Sequence, residues 1–169
     1  NPTDSSMDVC SPWYAWMNAS FIFLGMTILF GAALIRGAFR TGRMWAAGLS
    51  LVALAGLGLI AVGLFPENIN IAAHKIGAGA QFISGNLGLV VLGAAMLQAG
   101  RRPVLAVYSI ASGLVGLLAT ALFVSDHYLG AGIGGMERLA AYPLPFWLVV
   151  AGSYFVQTRQ RLGYATAGR

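Results

Sequence analysis

The chain has 169 residues, of which 58% are hydrophobic and 9% charged, with a net charge of +5 and a mean hydropathy of +0.76. A soluble domain carries about a quarter charged residues, because charged side chains cover its surface in water. This composition excludes an ordinary soluble domain and a disordered chain, and it predicts one domain solvated mainly by lipid. Nine arginines and one lysine fall in short clusters between apolar runs, so no nucleic-acid partner is expected.

Five apolar stretches are each long enough to cross a hydrocarbon core of about 30 Å as a helix. They extend over about residues 13–35, 44–65, 71–97, 104–124 and 139–156. The stretches are continuous rather than alternating, which argues against barrel strands. The sequence therefore predicts an all-α, polytopic transmembrane helical bundle, a single membrane domain over residues 1–169 with five spans. The glycine-rich segment from Gly130 to Gly135 follows no strand and is predicted to be a flexible loop rather than a nucleotide-binding motif.

Small residues recur along three predicted helices at the spacing of one helical face. The stripes are Ser109, Ser112, Gly113, Gly116 and Thr120 on the fourth helix, His74, Ala78, Gln81, Gly85 and Gly88 on the third, and Asn18, Gly25 and Ala32 on the first. Small residues let helices approach closely in lipid, so these faces are predicted to point inward, with contact to a partner protein as the alternative. Near the fifth helix, Pro143 and Pro145 remove backbone donors and are expected to bend a helix wherever they lie beyond its first turn.

The distribution of charge predicts an orientation, because arginine and lysine accumulate in short cytoplasmic segments. Eight of the ten cationic residues fall in three segments that a five-helix chain places on one side: Arg36, Arg40, Arg43, Arg101, Arg102, Arg159, Arg161 and Arg169. All five acidic residues fall on the other side with Lys75 and Arg138. The prediction is a multi-pass protein of the plasma (inner) membrane with residue 1 extracytoplasmic and the C-terminus cytoplasmic, compatible with a sixth helix before residue 1. The excess of arginine over lysine suggests a bacterial source.

Side chains capable of chemistry concentrate on the predicted outer side. Polar and ionisable groups at membrane depth usually face a bundle interior and are candidates for function. The predicted ligand-binding residues are Glu67, His74, Lys75, Gln81, Asn86, His127, Glu137 and Arg138. Candidates for a catalytic role are His74, Glu137 and Asp126, although no complete motif surrounds them. The run Ser125-Asp126-His127 resembles a catalytic triad only in its letters, because real triads converge from separated positions.

No local metal-binding motif is present, so the sequence predicts no cofactor. The alternative is a zinc site assembled from several helices around His74 or His127. Two partners suit Lys75 and Arg138: a lipid phosphate, or an ion pair with Glu67, Asp126 or Glu137. Ion pairing is the favoured prediction, because carboxylates outnumber the cations on that side.

Several motifs resemble one family of membrane proteins. They are Gly63-Leu64-Phe65-Pro66-Glu67 with His74, Gly135-Met136-Glu137-Arg138 with Tyr142-Pro143 and Trp147, and the N-terminal Asn1-Pro2-Thr3-Asp4-Ser5. This pattern resembles the DUF998 family of bacterial and archaeal integral membrane proteins, over nearly the whole chain. The resemblance implies a six-helix protein of which this chain supplies the last five helices. It also implies that Pro66, Glu67, His74, Glu137 and Arg138 lie together on the outer face, and it implies no activity.

Three functions fit these features. The leading hypothesis is an accessory or lipid-interacting subunit of a membrane complex, with membrane lipids and other membrane subunits as partners. One alternative is an intramembrane lipid hydrolase or transferase at the outer polar site, and another is a lipid or small-molecule transporter. The accessory role is favoured because the sequence shows no complete catalytic motif, as a hydrolase would often have. It also shows no ladder of charges and no internal inverted repeat, as channels and transporters often do.

Overall fold

A computed structural model describes residues 12–36, 42–100 and 102–167, with side chains described up to Gln157. Every regular element within these ranges is a helix. The elements are α1 (Tyr14–Ile35), α2 (Arg43–Leu64), α3 (Ile71–Gln98), α4 (Pro103–Val124), α5 (Gly132–Ala141) and α6 (Pro143–Ala167). The predicted positions of Asp4, Asp8, Arg40, Arg101 and Arg169 lie outside the described residues.

Five helical stretches among the described residues are long and apolar enough to cross a membrane. Four of them are α1 to α4, and each of their bounds lies within one residue of the predicted one. The predicted all-helical bundle with five spans is confirmed. The protein is therefore a multi-pass membrane protein by its fold, with α1 to α4 joined by short connections into an antiparallel series.

The fifth span differs from the prediction. It covers Gly132–Gln157 and consists of α5 and most of α6, which meet at Tyr142. The predicted loop from Gly130 to Gly135 is wrong for its last four residues, since α5 already begins at Gly132. Glycine is a weak helix former in isolation, but tertiary packing overrides that preference. In α5 the packing comes from Met136 and Ala140, one turn apart, which are buried against Phe82 and Ala119.

Glycines bring the helix backbones into direct contact. A Cβ atom added to Gly25 of α1 would lie 2.6 Å from the carbonyl oxygen of Gly56, and one added to Gly58 would lie 2.5 Å from that of Gly77. Gly93 of α3 meets α4 in the same way, 2.6 Å from the carbonyl oxygen of Ala106. Because the hydrophobic effect does not drive helices together inside lipid, such close van der Waals packing supplies much of the stabilisation of the helix bundle.

The predicted inward faces are largely buried. Buried members of the three stripes are Gly25, Ala32, Gln81, Gly85, Gly88, Ser109, Gly113, Gly116 and Thr120. Asn18, His74, Ala78 and Ser112 are only partly buried. On α6, the buried Trp147 donates its indole N–H to the hydroxyl oxygen of Ser109 at 2.6 Å, which fixes α6 against α4.

Candidate functional site

The turn between α2 and α3 holds the first group of predicted site residues. His74 is half-buried, whereas Glu67 and Lys75 are exposed. The Nδ1 atom of His74 lies 3.1 Å from the carbonyl oxygen of Phe65, and since a carbonyl only accepts, His74 donates through this nitrogen. Nearby, the side chain of Asn70 accepts from the Ala73 N–H at 3.0 Å and caps α3. The imidazole thus ties the end of α2 to the start of α3, and its Nε2 is left as an acceptor in the neutral form.

The turn after α4 holds a second group. His127 Nδ1 lies 2.6 Å from the Ser125 carbonyl oxygen, and the Tyr128 hydroxyl donates to Asp126 Oδ1 at 2.7 Å. That hydrogen bond to a carboxylate is the main cause that raises the pKa of Tyr128 above its ordinary value, with desolvation and the negative charge of Asp126 adding to it. Asp126 and His127 are both exposed. The Ser-Asp-His letters therefore form a local turn.

The two turns do not combine into one polar centre in the described part of the chain. Within residues 12–36, 42–100 and 102–157, the side-chain hydrogen bonds of His74, Asp126 and His127 go to residues of their own turns. No group of three His, Cys, Asp or Glu side chains in these ranges is placed to hold a metal ion. The described residues therefore provide no set of ligands around His74 or His127 that supports the zinc alternative.

Gln81 and Asn86 of α3 are deeply buried, with 4% and 2% of their surfaces exposed. Gln81 Nε2 donates to the carbonyl oxygen of Ala141 at 3.2 Å. Asn86 Nδ2 donates at 2.8 Å to the carbonyl oxygens of Phe82 and Ala140. Both amides thus reach the last turn of α5, where that helix ends. A role in ligand binding for these two residues stays a prediction.

Glu137 and Arg138 lie on α5, inside the fifth span and not in a loop before it. Arg138 Nη1 donates to the Gly134 carbonyl oxygen at 2.9 Å, so the side chain runs back toward the start of α5. Gly134 leaves room for this path, since a Cβ there would lie 3.1 Å from Nη1. Among the described residues, no carboxylate oxygen comes within 4.0 Å of the Arg138 or Lys75 side-chain nitrogens, and the predicted ion pairs with Glu67, Asp126 or Glu137 are not formed.

The depth of Arg138 follows from its neighbours. Asn86 bonds to Ala140 of α5 and also packs against Gly116 of α4, so Ala140 and Gly116 lie at a similar level. Gly116 is eight residues before the end of α4 at Val124, which corresponds to about 12 Å along the axis. Arg138 therefore lies beside the membrane-spanning part of α4. A long cationic side chain at such a level directs its charged end toward the interface, as the bond to Gly134 does here.

A groove separates α4 from α5 and α6 on the surface of the bundle. Its volume is about 510 Å³, and it is lined by Tyr108, Ala111, Ser112, Val115, Gly135, Arg138, Leu139, Tyr142, Pro143 and Phe146. Arg138 is the one charged residue among these ten. We call it the α4–α6 groove. The sequence did not predict this groove, because Ser112 was assigned to an inward face, whereas it lines the groove.

Comparison with known proteins gives one match. A family model described as a protein of unknown function, DUF998, matches residues 6–154. The chain belongs to the DUF998 family. No curated protein and no solved structure matches it. The family resemblance implied that Glu67 and His74 lie together with Glu137 and Arg138. In the described part of this DUF998 protein, no hydrogen bond or ion pair joins the first two residues to the other two.

Proposed function

We propose that this DUF998 protein is a lipid-interacting membrane protein that holds an anionic lipid in the α4–α6 groove. The observation that carries the proposal is the single cationic side chain, Arg138, in an otherwise uncharged groove on the surface of the bundle. A charge beside a membrane-spanning segment is costly and marks a site of function by default. A lipid with an acidic headgroup satisfies both the charge and the apolar walls.

The groove suits one amphiphilic molecule in size and chemistry. Its volume of about 510 Å³ falls within the range of about 300–1,000 Å³ that is usual for small-molecule sites. Val115, Leu139 and Phe146 supply apolar contacts for an acyl chain, while the hydroxyls of Tyr108 and Tyr142 supply polar groups that orient an ester or headgroup. This combination of apolar walls and a few polar groups is typical of ligand pockets.

The charge of Arg138 is available for a phosphate. A guanidinium has five N–H donors, and the Gly134 carbonyl accounts for one of them. No carboxylate within the described ranges neutralises it, and the neighbouring Glu137 is not among the groove residues. Arginine binds phosphate oxygens through charge-assisted, often paired hydrogen bonds, which favours an anionic headgroup over a zwitterionic one.

The alternative functions gain less support. For a hydrolase or transferase, a base needs a partner within hydrogen-bond reach. His74 instead donates to Phe65, and Asp126 accepts from Tyr128. For a transporter, the buried amides of Gln81 and Asn86 would bind substrate, but the NH2 groups of both already donate to the backbone of α5. An accessory role remains compatible with a lipid in the groove, since lipids commonly lie between membrane subunits.

Native mass spectrometry of the detergent-purified protein tests the proposal. The protein is titrated with phosphatidylglycerol and, separately, with phosphatidylcholine. We expect phosphatidylglycerol to bind more tightly, and Arg138→Gln to weaken its binding about tenfold by removing a charge-assisted contact, with little change for phosphatidylcholine. Ala111→Phe, which fills the groove, weakens binding of both lipids.

Two matched variants serve as controls. Lys75→Gln removes an exposed cation that does not line the groove, and Ala33→Phe adds the same bulk to an exposed position on α1. Both are expected to bind phosphatidylglycerol like the unmodified protein. Equal binding by Arg138→Gln, Ala111→Phe and the controls would overturn the proposal. Recovery of a stoichiometric protein partner that Ala111→Phe displaces would replace the lipid with a partner helix.

A further inference from the structure

The meeting of α5 and α6 leaves backbone carbonyls without their usual helical donors. We call the segment from Leu139 to Pro145 the corner. In a continuous helix the N–H of residue 143 would bond to Leu139 and that of residue 145 to Ala141, but both positions are proline and have no N–H. The backbone hydrogen bonds that cross the corner run from Tyr142 to Arg138 and from Phe146 to Tyr142. Ala141 therefore needs another donor.

The donors come from α3. Gln81 Nε2 bonds to the Ala141 carbonyl oxygen, in place of the N–H that Pro145 lacks. Asn86 Nδ2 bonds to the neighbouring Ala140 carbonyl oxygen. Proline is tolerated inside membrane-spanning helices when neighbouring helices satisfy the freed backbone groups in this way. Both amides are deeply buried, so breaking either bond would leave a polar group without a partner in apolar surroundings.

We infer that Gln81 and Asn86 are positioning residues of the α4–α6 groove, an inference that rests on the proposed function. Neither residue lines the groove. They fix the corner, and Arg138, Tyr142 and Phe146, which line the groove, all lie on the corner or within one residue of it. The amides of α3 thus determine where the guanidinium sits relative to α4. Gln81 and Asn86 therefore influence lipid affinity without contacting the lipid themselves.

A double-mutant cycle between Gln81 and Pro145 separates this role from simple packing. Pro145→Ala restores a backbone N–H that can bond to Ala141, so Gln81 becomes dispensable in that background. If Gln81 merely fills space, Gln81→Leu has the same effect with either residue at position 145. Coupling between the two positions is therefore expected only if Gln81 replaces the missing donor.

The four proteins of the cycle are compared by phosphatidylglycerol affinity and by thermal unfolding midpoint in detergent. Gln81→Leu alone is expected to weaken lipid affinity about fivefold to tenfold and to lower the midpoint, the effect of losing one buried hydrogen bond. In the Pro145→Ala background, Gln81→Leu is expected to change affinity less than about twofold. Ser84→Ala is the matched control, since this buried hydroxyl bonds to Ala80 within its own helix, and it should leave lipid affinity unchanged.

The two proposals fail in different ways. Equal losses from Gln81→Leu in both backgrounds, in affinity and in unfolding midpoint, would overturn the role of the amides while leaving the groove intact. Failure of the unmodified protein to prefer phosphatidylglycerol would overturn the proposed function, and the unfolding midpoints would still report whether Gln81 and Pro145 are coupled.

Discussion

At the scale of single residues, the polar side chains mostly form hydrogen bonds to main-chain carbonyl oxygens. His74 and His127, which the sequence marked as metal or ligand candidates, donate to the carbonyls of Phe65 and Ser125. Gln81 and Asn86 were predicted to face the bundle interior because polar groups avoid lipid, and they are buried there. Their partners were beyond prediction, because these are main-chain oxygens 60 and 54 residues away at a helix break.

The Tyr128 hydroxyl provides a test by titration. Its folded pKa is raised because it donates to Asp126, so its contribution to stability is present below the ordinary pKa of tyrosine and is lost as pH rises through the raised value. Ultraviolet difference titration against Tyr128→Phe should show one tyrosine that ionises late, and Asp126→Asn should lower that pKa. An unchanged titration in Asp126→Asn would contradict the hydrogen bond.

At the scale of elements, α1 to α4 were predicted well, because the length of a continuous apolar run and the spacing of small residues can be read from the sequence without knowledge of tertiary contacts. The start of the fifth span was mispredicted because its first helix is rich in glycine and its second begins with proline. Gly130 and Gly132 do adopt positive φ angles of 81° and 70°, so the turn signal was real. The turn ends four residues earlier than predicted, at Ala131, because burial of Met136 and Ala140 makes α5 helical.

The backbone contact between α2 and α3 at Gly58 can be tested by the effect of a substitution on stability. Gly58→Ala should destabilise the protein by about 1–3 kcal/mol, because the new methyl group would press on the Gly77 backbone. Gly31→Ala is the matched control, since nothing lies within 4 Å of a Cβ there, and helix propensity makes it neutral or slightly stabilising. Reversible unfolding in mixed detergent measures both. Equal stability of the two variants would show that α2 and α3 are not in backbone contact.

At the scale of the whole molecule, three of the described arginines lie at one end of the bundle, whereas Arg138 on α5 lies toward the other end. Arg36 follows the last residue of α1, Arg43 begins α2, and Arg102 precedes α4. The Arg102 guanidinium stacks on the rings of Tyr154 and Phe155 of α6 at 4.8 and 5.0 Å. Charge counting predicted this common end. Which side of the membrane it faces stays a prediction of the positive-inside rule. The groove could not be predicted, because it depends on how α5 and α6 meet beside α4.

Photo-cross-linking maps the lipid on the protein most directly. A photoactivatable phosphatidylglycerol is incorporated into phosphatidylcholine vesicles that carry the purified protein, and cross-linked peptides are identified by mass spectrometry. The account predicts enrichment on α4 and on Gly132–Gln157, displaced by excess unlabelled phosphatidylglycerol but not by phosphatidylcholine, and lost in Arg138→Gln. Cross-links spread equally over the exposed faces of α1 to α6, with no effect of Arg138→Gln, would contradict a lipid site in the groove.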